Sequence, residues 1–138
     1  MKIQKKIAST VFAFIVSILL LGAANSTSAQ TDRTPKKRLT NPATVKGYVG
    51  GEAHDSYVIR AQKGQTLTVN ISWRRKDDNR AEFTVSRSAN FYAGGTVNFG
   101  VESMNGKRWR GKISRTGNYY IYVVAHTTAN YTLKIDVK

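Results

Sequence analysis

From Asp55 to Ile71 the chain alternates apolar and polar residues twice over. Tyr57, Ile59 and Ala61 occupy every second position, Gln62-Lys63-Gly64 interrupts them, and Leu67, Val69 and Ile71 resume the alternation. A period of two marks a strand with one buried face, so this stretch predicts two strands joined by a turn and reads as a β-hairpin. Residues 117–137 repeat the pattern with Tyr119, Ile121 and Val123, then Tyr131, Leu133 and Ile135, and read as a second hairpin. The two are taken as halves of one small sandwich. Further strands are predicted over residues 44–49, 81–87, 96–101 and 108–114, beside the hairpin strands at 56–61, 65–73, 118–125 and 130–137. Gly50-Gly51 makes a turn, 74–80 is a polar loop, and 88–95 is a loop in which Phe91 and Tyr92 offer a short edge strand.

Short strands separated by glycine and asparagine turns, with no helical period and no internal repeat, predict an all-β fold: a single antiparallel β-sandwich. Its inward set is Tyr57, Ile59, Leu67, Val69, Ile71, Phe83, Val85 and Trp109, continued by Ile113, Tyr119, Ile121, Val123, Tyr131, Leu133 and Ile135. Each such side chain contributes roughly 1.5–3 kcal/mol when fully buried, which lets the fold do without disulfides. Gly117 stands where the chain reverses and is assigned a positive backbone dihedral.

The N-terminus follows a different rule. Lys2, Lys5 and Lys6 precede an apolar run over 7–22, and Thr27-Ser28-Ala29 closes it with small residues. That order reads as a secretory signal peptide over 1–29, cleaved after Ala29, and the run is short of the ~20 residues of a spanning helix. Residues 30–42 carry Pro35, Pro42 and the run Lys36-Lys37-Arg38 without periodicity, and read as a flexible basic lead-in to one domain over 43–138. The chain has no cysteine, which excludes a disulfide framework. Its net charge is +14, and +11 without the three lysines of the leader. A basic exported protein of this kind is steered towards anionic partners.

Candidate chemistry is sparse. His54 and His126 are the only histidines, stand outside metal or catalytic spacings, and are expected as exposed loop residues. His54-Asp55-Ser56 contains triad residue types, but neighbours on a strand point to opposite faces and cannot build a triad. Asp77-Asp78-Asn79 is flanked by Arg74, Arg75, Lys76 and Arg80, which repel calcium and favour a salt-bridged loop. No catalytic group, metal site or cofactor is expected. Arg108, Arg110 and Lys112 alternate with Trp109, Gly111 and Ile113, so an inward Trp109 puts three cations on one outer face. Tyr120 and Tyr122 alternate outward on the next strand as adjoining aromatic platforms.

The framework Y-x-I-x-A-x-K-G-Q-T-L-T-V (57–69), with W-x-G-x-I-x-x-x-G-N-Y-Y-I-Y-V (109–123) and A-N-Y-T-L-K-I (129–135), resembles the bacterial pre-peptidase C-terminal domain family. Within it, the chain is most similar to the single-domain periplasmic inhibitors of g-type lysozyme, over about residues 43–137. The resemblance implies a periplasmic or secreted, non-enzymatic binding module whose protruding loops plug an enzyme's substrate groove. Those loops correspond here to 50–55 and 126–130, with Glu52, His54, Asp55, His126, Thr127 and Asn130 as contact residues. The resemblance implies an aromatic, tyrosine-rich first loop and a longer, arginine-containing final loop. This chain has Glu52 and His54 in the first and only His126-Thr127-Thr128-Ala129-Asn130 in the last. The partner is then a lysozyme-like enzyme, or, through Arg108, Arg110, Lys112, Tyr120 and Tyr122, an anionic envelope glycan or other polyanion. A specific nucleic acid is not expected.

Overall fold

Alternating strands bury one face only when a second sheet covers it, and the computed structural model shows how this chain does so. It describes residues 30–76 and 78–138; the leader expected over 1–29 and Asp77 lie outside the described residues. Among the described residues nine strands form, in order β1 (Lys36–Arg38), β2 (Ala43–Gly50), β3 (Asp55–Ala61), β4 (Thr66–Trp73), β5 (Arg80–Ser86), β6 (Val101–Ser103), β7 (Arg108–Lys112), β8 (Gly117–His126) and β9 (Thr128–Val137). Sheet A has the order β1-β3-β8-β5 and sheet B the order β2-β9-β4-β7-β6. All pairings are antiparallel except β1 with β3.

Both predicted hairpins are in fact arches between the sheets. β3 pairs with β1 and β8, whereas β4 pairs with β7 and β9, so residues 62–65 carry the chain from sheet A to sheet B. β8 and β9 likewise belong to different sheets, and Thr127 alone separates them. The period-two pattern is the same for a hairpin and an arch, because it records which face is buried and not which strand is the neighbour.

The inward set packs between the sheets. Every residue of it is buried except Phe83, which is half-buried against the same cluster at the rim. Gly117 has φ +153°, and a Cβ there would come to 3.2 Å from the Arg87 guanidinium. Gly47 has a steric role: a Cβ would lie 2.4 Å from the Tyr131 hydroxyl oxygen, so a side chain at 47 would displace that ring.

Two segments differ from their sequence-based reading. Residues 96–100 form no strand; Val97 N–H bonds the Val85 carbonyl at 2.9 Å and Phe99 packs on Trp109 and Tyr119, so this coil closes one side of the sandwich. Lys36–Arg38, placed in a flexible lead-in, pairs in register with Ser56, Tyr57 and Val58 as β1. The lead-in lacks periodicity because what anchors it is the β3 backbone and one carboxylate, Asp32.

Candidate functional site

One end of the sandwich gathers the loops. After Gly50 the chain turns through Gly51 to His54, and Gly51 N–H donates to the Thr127 carbonyl at 3.0 Å. Gly50 faces Thr128 across the β2–β9 ladder, where a Cβ would come within 2.5 Å of the Thr128 methyl, so the two connections touch. The predicted final loop is consequently a single residue, Thr127, at φ 63°. Glu52, His126 and Thr127 are exposed at this end, and Asn130 is exposed on β9 opposite Tyr48, itself 63% exposed.

Beside them lies a cavity of about 300 Å³ lined by Trp73, Arg75, Asp78, Asn79, Arg80 and His126. The β4–β5 connection builds its wall. The Asn79 side chain accepts the Lys76 N–H at 2.8 Å, and the Trp73 indole donates to the Asn79 carbonyl at 3.2 Å. The Lys107 ammonium sits 4.7 Å above the Trp73 ring, a cation–π contact. Arg80 pairs with Glu82 at 2.6 Å, while Arg74, Arg75 and Lys76 are exposed. Chemically, the end gathers arginine guanidinium groups beside an indole, donors whose geometry suits carboxylates. Sequence reasoning missed Trp73, Arg75 and Asn79 as neighbours of His126. Their one sequence signal is an aromatic at a strand end followed at once by Arg74-Arg75-Lys76.

His54 and Asp55, assigned to the loop site, turn inward. His54 is only 7% exposed, contrary to the exposed histidine expected. Its Nε2 lies 3.1 Å from the Asp32 carboxylate, and its ring stacks on Phe91 at 4.1 Å. Asp32 also accepts the Thr34 N–H at 2.9 Å, the Phe91 N–H at 3.3 Å and the Lys36 ammonium at 3.2 Å. Burial works against its charged form, but these donors outweigh it and hold its pKa down at about 2. Asp55 accepts a hydrogen bond from the Tyr131 hydroxyl, which in turn lies 2.6 Å from the Tyr57 hydroxyl, and Lys37 approaches at 3.7 Å. Burial, then the bonds to Asp55 and Tyr57, push the Tyr131 phenol far above its ordinary pKa. Asp55 therefore ties the two sheets together.

The basic stripe and the tyrosines do not adjoin. Arg108, Arg110 and Lys112 lie on the outer face of sheet B, but β8 belongs to sheet A, so Tyr120 and Tyr122 face the other side of the molecule. Tyr122 is also no platform. It is 2% exposed, its hydroxyl donates to the Ser88 carbonyl at 2.6 Å, and Phe91 packs edge-on to it. Burial, then the nearby Asp32 and Tyr120, push its phenol up to about 12. Tyr120 remains half-buried, stacked beside Tyr122.

The architecture is thus that of a two-sheet β-sandwich whose sheets exchange strands through arches. Solved structures share it. The periplasmic lysozyme inhibitor of g-type lysozyme PliG from Aeromonas hydrophila superposes with a TM-score of 0.61 at 19% identity, over 75% of this chain and 96% of the inhibitor. The pre-peptidase C-terminal domain of Bacillus anthracis collagenase gives 0.55 at 15% identity, over 78% of this chain and 100% of that domain. PliG from Salmonella Typhimurium gives 0.52 at 18%, over 75% and 97%. These likenesses match the fold that the sequence resemblance implies. No family model matches the chain, and no curated protein matches it.

Proposed function

We propose that this chain is an exported, non-enzymatic binding protein that blocks a wall-directed enzyme of the g-type lysozyme class with the loop end of its sandwich. The observation that carries this reading is the Gly51–Thr127 hydrogen bond, which fixes the Glu52 turn against His126 and Thr127 beside the basic cavity. A rigid, preorganised end loses little entropy on docking, and this favours recognition by a folded surface. Charge supports the choice of target class, since glycoside hydrolases generally work with paired carboxyl groups in a groove and this end presents Arg74, Arg75 and Lys76. The PliG neighbours, described as inhibitors of g-type lysozyme, support it at the level of fold. Periplasmic or secreted placement goes with the signal-like residues 1–29.

The test is turnover of cell-wall substrate by purified g-type lysozyme with the chain from Gln30 added at increasing ratio. Stoichiometric loss of activity is expected. Inhibition should weaken by roughly tenfold or more when Arg75→Ala is combined with His126→Ala, the scale of a lost interface anchor. Full activity at a large excess of the wild-type chain overturns the lysozyme reading. Unchanged inhibition by the double variant moves the contact surface elsewhere.

A further inference from the structure

The outer face of sheet B carries a second surface, remote from the Gly51–Thr127 contact. Its central strand, β4, turns Thr66, Thr68, Asn70 and Ser72 outward, all short and polar. Long cations stand on both flanks. In the ladder, Asn70 lies between Arg108 on β7 and Lys134 on β9, and Thr66 lies between Lys112 and Lys138. Between those rows Thr68 has Arg110 on one side and Asp136 on the other, the latter engaged by Lys138 at 3.0 Å. Short side chains between long ones make a trough. Neighbouring strands are about 4.8 Å apart, so the cationic flanks stand about 10 Å from each other, and the floor from Thr66 to Ser72 runs about 20 Å.

We propose that this trough binds a linear acidic polysaccharide laid along β4, with its carboxylate or phosphate groups taken by the flanking cations and its hydroxyls by the threonine and asparagine floor. Three features point to that occupant. The cations recur every second residue on β7, about 6.7 Å apart, which suits charges repeated along an extended chain. The floor is hydroxyl and amide, which suits sugar oxygens. Among the described residues no aromatic side chain lines the floor or flanks of the trough, and base stacking on aromatics is what single-stranded nucleic acid sites use. A lipid surface would meet the cation tips and leave the recessed floor unused. This surface does not depend on the lysozyme reading, and either can fail alone.

Polygalacturonate titrated into the chain from Gln30 tests the proposal, with single-stranded DNA and anionic vesicles as competing probes. Affinity for polygalacturonate should fall roughly tenfold as salt rises from low to physiological levels. Arg108→Gln with Arg110→Gln should weaken it roughly tenfold, against less than twofold for Arg60→Gln with Lys63→Gln, which removes equal charge elsewhere. Thr68→Phe fills the trough without altering charge, and roughly fivefold weaker binding is expected; its folding is checked by circular dichroism. Equal losses for the two double variants, or an unaffected Thr68→Phe, mean diffuse charge rather than a trough and overturn the proposal. Tighter binding of DNA or vesicles with the same variant pattern also overturns it.

Discussion

The two outer faces of the sandwich start from the same alternation and end differently. On sheet B the outward residues of β4, β7 and β9 remain at the surface, with Lys134, Arg110 and Lys112 exposed. On sheet A the outward Ser56, Val58 and Tyr122 are buried, and residues 30–32 and 88–92 join in a third layer that packs on Tyr122. The layer is held by one carboxylate. Asp32 reaches into it and collects His54, Lys36 and two backbone N–H groups, while Phe91 fills the space between His54 and Tyr122. An open face follows from the strand pattern alone, and a covered one requires a partner segment from far along the chain.

Mutations across the two faces should therefore separate widely. Tyr122→Ala removes a ring that is packed on both sides and should cost about 3 kcal/mol or more by chemical denaturation. A cost near that of an exposed residue would mean that the third layer is not packed in solution. Asp32→Asn comes next. Its depressed pKa, about 2 against 3.8 for the free group, gives stability that is present above about pH 4 and is lost as pH falls through about 2. The variant should be less stable by on the order of 2 kcal/mol at neutral pH, and the difference from wild type should shrink as pH falls from about 4 and vanish below about pH 2. A difference independent of pH would remove the carboxylate from the account. Lys134→Ala, on the open face, should change stability by no more than about 0.5 kcal/mol. A larger loss would show that this face too is covered.

The same contrast explains what the sequence made legible. Tyr57, Leu67, Tyr119 and Leu133 were readable as core because burial between two sheets leaves a period of two in the strand itself. The arches at 62–65 and at Thr127 were not readable, since pairing partners leave no trace in periodicity. His54 and Tyr122 read as exposed for a related reason: their cover comes from Asp32 and Phe91, which are local neither to them nor to each other. For the candidate site, Glu52, His126, Thr127 and Asn130 are candidates by family resemblance alone, whereas the Trp73 and Arg75 wall depends on where the β4–β5 connection lands. Asp55 looked like a loop acid because its bond to Tyr131 spans 76 positions.

The claim that matters most is that the loop end, rather than either outer face, meets a wall-directed enzyme. Amide hydrogen exchange of the chain, alone and mixed with g-type lysozyme at equal ratio, reads this directly. Enzyme-dependent protection is expected at Gly51, Glu52 and Ala53, at Arg75 and Lys76, and at His126 and Thr127, with the amides of β4 and those of β8 from Asn118 to Val124 unchanged. Protection confined to the sheet faces, or none at concentrations that saturate inhibition, would contradict it.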